Sequence, residues 1–254
     1  MHAGPHQAID LMHDPVDSPV DGPVQLPISH RWRSPNFTER RGTDRPDMVV
    51  LHYTAMESCE AAAERLCDPQ FEVSAHYLIA ENGDIHQLVD EMARAWHAGR
   101  GSWGNVADVN SHSIGIELAN TGFHPFPEPQ MAALETLLAD ILRRHDITPE
   151  RVIGHSDMAP GRKSDPGSRF DWKRLAHKTL SVWPIDVPTN APLNSFPNLA
   201  TCFGYPNDAT QDDILNAFRL RFRPYASGPL AKQDVAILAS LAARYPIDPP
   251  AGGA

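Results

Sequence analysis

Short apolar runs separated by polar stretches predict the central strands of the fold. The run "MVVLHYT" at residues 48–54 is rich in β-branched residues and predicts a buried strand that ends near His52. By the same pattern, "HSIGIELA" at residues 112–119 predicts a second buried strand, and "RVIGH" at residues 151–155 predicts a third, shorter one. Continuous apolar strands of this kind are typical of a sheet that is covered on both faces.

Other patterns predict a hairpin and three helices. "SAHYLIA" and "IHQLV" are separated by "ENGD", whose Asn-Gly pair favours an antiparallel hairpin. "SCEAAAERLCD" has the composition of a helix, with Ser58 as its N-cap. Residues 130–145 carry apolar side chains at helical spacing, and "DWKRLAHKTL" predicts a helix capped by Asp171.

This alternation predicts an α/β domain with a mixed central β-sheet flanked by helices, at residues 29–185. Residues 1–28 read as an N-terminal arm, and we expect regular structure to begin at Asp47, because the preceding segment lacks sustained periodicity. The Pro- and Asn-rich residues 186–198 predict a linker. Two amphipathic patterns in residues 199–250 then predict a small all-α module.

Composition narrows the classes of partner. The chain has 254 residues, 41% of them hydrophobic, and a net charge of −10, so it lacks the basic surface that a nucleic-acid binder needs. No apolar run approaches the roughly 20 residues of a membrane span, and the first residues do not resemble a signal peptide, so we expect a cytoplasmic protein. Three cysteines without a C-x-x-C pair predict neither a disulfide framework nor a thiolate metal site.

Three predicted strand ends carry polar side chains, namely His52, Glu117 and His155. Ligands in α/β proteins commonly bind beyond such strand ends. His155 is followed by "SDMAPGRKSDPG", a segment too polar and too rich in turn residues for a buried helix or strand, in which a carboxylate can fold back beside the histidine. Two imidazoles and one carboxylate suit Zn²⁺. The spacing leaves open whether Asp157 or Asp165 is the ligand.

Five motifs together resemble a known family. In order and spacing, "VVLHYTA", "VSAHYLIAENGDIHQLV", "AWHAGRGSWG", "NSHSIGIELAN" and "VIGHSDMAPGRKSDPGSRFDW" are similar to the zinc-dependent N-acetylmuramoyl-L-alanine amidases of the type 2 family, related in fold to the peptidoglycan recognition proteins. The resemblance covers about residues 29–183 and implies that the predicted domain at residues 29–185 is the zinc amidase catalytic domain. The stretch "FGYPNDATQDDILNAFRLRFRP" resembles a helical peptidoglycan-binding domain.

The resemblance implies a role for each polar residue of the site. It implies that one Zn²⁺ per chain is bound by His52, His155 and Asp165. It makes Glu117 the catalytic carboxylate, which acts as general base and acid, and places Lys163 beside the reacting carbonyl. Zinc lowers the pKa of a bound water to about 7, which provides a nucleophile for amide hydrolysis at neutral pH.

The other polar residues near the site are expected to form a turn or to contact the substrate. Asp157 is then expected to form a turn by hydrogen bonding to its own backbone rather than to bind metal. Aromatic and cationic groups near the predicted cleft are candidate contacts for sugar rings and carboxylates of a substrate. The candidate substrate contacts are His76, His97, Trp96, Arg100 and Arg162.

The implied function is hydrolysis of the amide bond between N-acetylmuramic acid, or its 1,6-anhydro form, and L-alanine. The substrate would be peptidoglycan or soluble muropeptides, in cell-wall turnover or recycling. The alternative is a non-catalytic peptidoglycan recognition protein, but such relatives tend to lack a zinc ligand, and here the implied set is complete. A wall-binding module favours the periplasm or cell envelope as an alternative location. The sequence leaves the oligomeric state open.

Overall fold

A six-stranded mixed sheet forms the centre of the computed structural model, which describes residues 26–188 and 190–247. Its strands are β1 (Ile28–Ser29), β3 (Met48–Tyr53), β4 (Tyr77–Ile79), β5 (Ile85–Gln87), β7 (Ser113–Leu118) and β8 (Val152–Gly154). The strand order is β1–β5–β4–β7–β3–β8. A separate antiparallel pair consists of β2 (Phe37–Glu39) and β6 (Ala93–Ala95). The predicted central strands and the β4–β5 hairpin are confirmed.

The register of the parallel strands places the predicted polar residues side by side. Strand β3 pairs in parallel with both β7 and β8. In this register His52 lies opposite Glu117, and Leu51 lies opposite Gly154, so His155 follows at the same edge of the sheet. The strand interiors are fully buried and apolar, as their sequences predict.

Five α-helices accompany the sheet within the described residues 26–188. They are α1 (Cys59–Cys67), α2 (Val109–His112), α3 (Glu128–His145), α4 (His155–Met158) and α5 (Trp172–His177). The two predicted N-caps are confirmed, because Ser58 accepts a hydrogen bond from Ala61 N at 3.1 Å and Asp171 accepts one from Arg174 N at 3.0 Å.

Regular structure begins before Asp47, which corrects one prediction. Strands β1 and β2 lie in the segment read as lacking structure, and each is only two or three residues long. Each pairs with a strand far along the chain, β5 and β6 respectively, and so leaves no local periodicity to detect. Residues 1–25 of the predicted arm lie outside the described residues.

The segment after β8 also differs from its prediction. Helix α4 is buried, although its sequence predicts a segment too polar for a buried helix. The reason is that its polar groups have partners: His155 Nε2 donates to Ala98 O at 2.9 Å, and Asp157 accepts a hydrogen bond from Gly154 N at 2.8 Å.

Three α-helices follow within residues 190–247: α6 (Phe196–Phe203), α7 (Gln211–Phe222) and α8 (Lys232–Arg244). Helices α7 and α8 confirm the two predicted amphipathic patterns. Helix α6 was not predicted, and it begins inside the segment read as a linker, because its Pro197 falls in the first turn, where proline is tolerated. No helix among the described residues combines the length and the apolar character that crossing a membrane requires.

The sheet has an apolar cluster on each face. On one face, Met48, Val50 and Ile153 of the sheet share a cluster with buried residues of α6, α7 and α8. On the other face, Val49 and Leu51 share a cluster with the apolar side of α3. The C-terminal helices therefore cover one face of β3, which carries His52, and of β8, which leads into His155.

Glu91 connects α3 to the sheet. Its buried carboxylate accepts hydrogen bonds from Tyr77 Oη of β4, from an Arg144 Nη and from His145 Nε2, each at 2.7 Å. Burial alone would raise the pKa of Glu91, but these hydrogen bonds outweigh it and lower the pKa to about 2.

Replacement of Glu91 tests this connection. Glu91→Gln should lower the free energy of unfolding at pH 7 by about 2–3 kcal/mol, because it removes a paired buried charge. The folded-state pKa of Glu91 is depressed from 4.5, so its contribution is present above that pH and is lost as pH falls toward 2. Urea unfolding should therefore show a smaller difference between wild type and variant at pH 3 than at pH 7. The exposed Glu64→Gln is the control, and an equal difference at both pH values would contradict the interpretation.

Candidate active site and metal centre

Three side-chain donors converge at the edge of the sheet. His52 Nδ1 lies 3.0 Å from His155 Nδ1 and 2.9 Å from Asp165 Oδ2, and His155 Nδ1 lies 3.0 Å from the same oxygen. All three residues are buried. A backbone hydrogen bond of 2.9 Å from Ser156 N to Asp165 O closes the loop that returns the carboxylate to the histidines. The structure thus brings Asp165 rather than Asp157 to this cluster.

The hydrogen bonds of His155 define its tautomer. Its Nε2 lies 2.9 Å from the carbonyl oxygen of Ala98. A carbonyl oxygen only accepts, so the hydrogen-bond pattern assigns the proton to Nε2. His155 Nδ1 therefore presents a lone pair to the cluster.

A longer chain of hydrogen bonds defines the tautomer of His52. Ser113 Oγ donates its one proton to Val109 O at 2.6 Å, so it accepts from His97 Nε2 at 3.1 Å. His97 Nδ1 is then an acceptor, and it receives the proton of His52 Nε2 at 3.0 Å. His52 Nδ1 is left without a proton and also presents a lone pair to the cluster.

This donor set fits a divalent metal. Two unprotonated nitrogens and a carboxylate oxygen face each other with no proton between them, an arrangement that a cation would stabilise. The donor atoms lie 2.9–3.0 Å apart. Ligand atoms of a tetrahedral zinc ion with bonds of about 2.0–2.1 Å are expected to lie about 3.3 Å apart, so the cluster is close to the required size. Burial, and after it the charge of His155, lowers the pKa of His52 to about 4, which keeps the imidazole neutral, as metal binding requires.

His97 is held from several sides. A Cβ on Gly115 of β7 would lie 2.4 Å from His97 Cγ, so only glycine leaves room for the ring on the sheet. The backbone N–H groups of His97 and Ala98 both donate to Asn110 Oδ1, at 3.0 and 2.9 Å. Burial, together with neighbouring histidines, holds the pKa of His97 well below its usual value. Its ring is therefore a fixed, neutral partner of His52.

A cavity of about 400 Å³ opens beside the three donors, a size that suits a small-molecule ligand. Glu117 lines it, and its Oε2 is buried with no hydrogen-bond partner among the described residues. Burial and the charge of Asp165 raise the pKa of Glu117 to about 8, although the positive charge of Lys163 opposes the shift. Lys163 is exposed and lines the same cavity.

The predicted substrate contacts divide into two groups. Trp96, His97 and Arg162 line the cavity beside the donors. His76 does not, since it is fully buried, accepts at Nδ1 from Gly115 N at 2.9 Å and donates from Nε2 to Ala93 O at 3.1 Å. His76 is thus a structural residue, which corrects the prediction.

Arg100 also departs from its prediction. It lines a second cavity, shared with residues of α4 and the loop before α7, rather than the one beside Glu117. Arg162, by contrast, lines the cavity beside Glu117 and donates to Ala98 O at 2.7 Å. Of the two arginines, only Arg162 therefore lies beside the donor cluster.

One cavity residue was missed. Arg65, at the end of α1, lines the cavity, and its guanidinium lies 4.2 Å from the centre of the Phe71 ring. The sequence around Arg65 predicts a helix and carries no motif of a binding site. Only the packing of α1 shows that Arg65 lies at the cavity. The cavity therefore has three cationic side chains, Arg65, Arg162 and Lys163, in a chain of net charge −10.

Asp157 is more than a turn residue. Its side chain accepts from a nearby backbone group, Gly154 N at 2.8 Å, but Gly154 lies three positions earlier, so the bond caps the start of α4 instead of forming the predicted turn on the backbone of Asp157 itself. However, the side chain is fully buried and also accepts from Tyr205 Oη and Arg221, both in the C-terminal part. The prediction of a turn-forming loop residue is corrected, because Asp157 lies in α4 and is buried against these partners.

Comparison with known proteins defines the class. The family model described as N-acetylmuramoyl-L-alanine amidase, Amidase_2, matches residues 42–168, which span His52 through Asp165. The chain belongs to this family of amide hydrolases. The predicted enzyme class is thereby confirmed, and with it the α/β fold.

Individual relatives cover most of the chain. AmiD of Escherichia coli K12 is 35% identical in an alignment of length 231 that covers 78% of this chain and 83% of AmiD. The structure of AmiD in complex with the substrate anhydro-N-acetylmuramic acid-L-Ala-D-gamma-Glu-L-Lys superposes with a TM-score of 0.72 at 33% identity, covering 84% of this chain and 99% of AmiD. Pseudomonas aeruginosa AmpDH3 in complex with anhydromuramic pentapeptide gives a TM-score of 0.73 at 34% identity, covering 81% and 96%.

The hydrogen-bond chain behind His52 is testable. Ser113→Ala removes the acceptor for His97 Nε2 and so frees the tautomer of both histidines. We expect Zn²⁺ affinity, measured by chelator competition, to fall by about tenfold. Ser34→Ala is the matched control, because Ser34 is equally buried and hydrogen-bonded but lies outside this chain of contacts. Equal Zn²⁺ affinity in wild type and Ser113→Ala would refute the assignment.

Proposed function

We propose that this amidase is zinc-dependent and hydrolyses the amide bond between N-acetylmuramic acid, in its 1,6-anhydro form, and the L-alanine of muropeptides. The observation that carries the proposal is the convergence of three unprotonated donors beside a cavity that contains an unpartnered carboxylate. The non-catalytic alternative is disfavoured, since a recognition protein needs neither the donor set nor a carboxylate with a raised pKa.

In this proposal His52, His155 and Asp165 hold the metal. A bound zinc ion supplies Lewis-acid polarisation of the substrate carbonyl and activates a water molecule. Glu117 takes a proton from the attacking water and returns one to the leaving amine, and its raised pKa of about 8 suits this exchange near neutral pH. Lys163, which lines the same cavity, offsets the negative charge that develops on the carbonyl oxygen.

The cavity also supports an acidic peptide substrate. A muropeptide stem has several carboxylates, and Arg65 and Arg162 supply charge-assisted hydrogen-bond donors at the cavity wall. Trp96 offers an aromatic face for the sugar ring. Preference for the anhydro form is inferred from the ligands named in the AmiD and AmpDH3 complexes.

Two further predictions concern the setting of the enzyme. From the sequence we propose that residues 199–250 bind peptidoglycan. We also propose a cytoplasmic location, with the cell envelope as the alternative. Sedimentation of the chain with insoluble peptidoglycan and fractionation of cells that express the native gene test them separately.

The role of Glu117 can be separated from metal binding. Glu117→Gln should retain one zinc per chain and lower kcat by about 10²–10⁴-fold, because it removes the proton carrier but no ligand. Release of free peptide from an anhydro-muropeptide, followed by mass spectrometry, measures turnover. Glu60→Gln, an exposed change on α1, should behave as wild type. Full turnover by Glu117→Gln would exclude this role, and a zinc-loaded wild type that releases no peptide would exclude the amidase reaction.

The ligand assignment has its own test. Asp165→Ala should abolish retention of Zn²⁺ through gel filtration and, with it, peptide release, because the cluster loses its only anionic donor. The exposed Asp208→Ala is the control and should keep both properties. Stoichiometric zinc in Asp165→Ala would contradict the assignment.

A further inference from the structure

A buried ion pair links the C-terminal helices to residues 152–165, the segment that carries His155 and Asp165 and is called the metal-binding segment below. Arg221 of α7 contacts Asp157 of α4 at 2.9 Å, and the two side chains are 1% and 0% exposed. Sixty-four positions separate them in the sequence. A buried charge must be paired, so neither residue is tolerated in this place without the other.

Arg221 holds the chain on both sides of His155. One Nη donates to Asp157, two residues after the histidine, and the other donates at 3.0 Å to the carbonyl oxygen of Val152, three residues before it. The same guanidinium donates to Ser181 Oγ at 3.1 Å and lies 4.3 Å from the centre of the Trp172 ring. One side chain from α7 thus spans the turn from β8 into α4.

Asp157 transmits this contact to the backbone beside the metal donor. Its Oδ2 accepts from the N–H of Gly154, the residue before His155, and its Oδ1 accepts from Tyr205 Oη at 2.9 Å. A Cβ on Gly154 would lie 2.8 Å from Pro166 Cδ, so the backbone that carries His155 packs directly on the residue after Asp165. Movement of this turn would change the separation of two donors.

We propose that Arg221 and Tyr205 are positioning residues of the metal centre, and that α7 is part of the catalytic unit. This inference rests on the proposed zinc function. The sequence associates these helices with peptidoglycan binding, whereas their buried polar contacts serve the segment that presents His155 and Asp165. With Arg221 removed, the Asp157 carboxylate lacks its cation, and the turn must open to admit water.

Zinc affinity of full-length Arg221→Gln tests the proposal. We expect the dissociation constant for Zn²⁺, from chelator competition, to rise by about 10–100-fold. We expect kcat to fall with little change in KM, because the cavity walls are unaltered. Arg219→Gln is the matched control: Arg219 is a buried arginine on the same helix, and among the described residues its guanidinium hydrogen-bonds to Asp234, at 2.6 Å, and to the carbonyl oxygens of Gly228 and Pro229. It should lower thermal stability without changing Zn²⁺ affinity.

Two further variants keep the test decisive. Tyr205→Phe retains the ring and removes only the hydroxyl bond to Asp157, so we expect a Zn²⁺ affinity several-fold weaker in a chain that folds normally. The double variant Asp157→Asn/Arg221→Gln removes both buried charges and should bind Zn²⁺ more tightly than Arg221→Gln alone.

Three outcomes overturn the proposal. They are a Zn²⁺ affinity in Arg221→Gln within twofold of wild type, an equal loss in Arg219→Gln, and, if Arg221→Gln does not fold, an unchanged affinity in Tyr205→Phe. Zinc binding is measured without substrate. A wild type that binds zinc but releases no peptide would therefore reject the amidase reaction and leave this inference intact.

Discussion

The parallel pairing of β3 between β7 and β8 is the constraint on which the rest of the molecule depends. It aligns three strand ends, and so it places His52, Glu117 and His155 at one edge of the sheet. Parallel strands are stable only when both faces are covered, since their interiors are apolar. Helix α3 covers one face and the C-terminal helices cover the other. The parallel pairing therefore explains both why the site residues lie together and why the C-terminal helices must cover the sheet.

Within this frame, hydrogen bonds decide which atoms can bind a cation. Carbonyl oxygens and a serine hydroxyl fix the protons of two histidines on their outer nitrogens, and so leave the inner nitrogens free. The protein thereby maintains a repulsive arrangement of lone pairs in its interior. Such an arrangement costs stability unless a cation joins it, which links metal binding to the free energy of folding.

Local patterns were sufficient for much of the fold. Ser58 and Asp171 have recognisable capping roles, and the Asn-Gly turn defines its hairpin without any distant contact. The strand-end residues were found because apolar runs stop where the site begins. The choice of Asp165 over Asp157 came from the family resemblance, because spacing alone allows both.

The remaining features depend on contacts between distant segments. Strands β1 and β2 are too short to show periodicity, and their partners are far along the chain. The role of Asp157 was misjudged because the cation that allows its burial belongs to α7. His76 and His97 look alike in sequence, and only packing shows that one is enclosed while the other borders the cavity.

Gly115 leaves a space on the sheet that a side chain from another segment fills. The His97 ring fills the space where β7 would carry a side chain of its own, although the ring belongs to another segment. The backbone of that segment is held by Asn110, while Gly115 leaves room for the ring and Ser113 accepts its Nε2 proton. A different residue in that segment would change the group behind His52 while the strand register stayed the same. The group behind His52 and the pairing of the strands are thus encoded at different positions of the sequence.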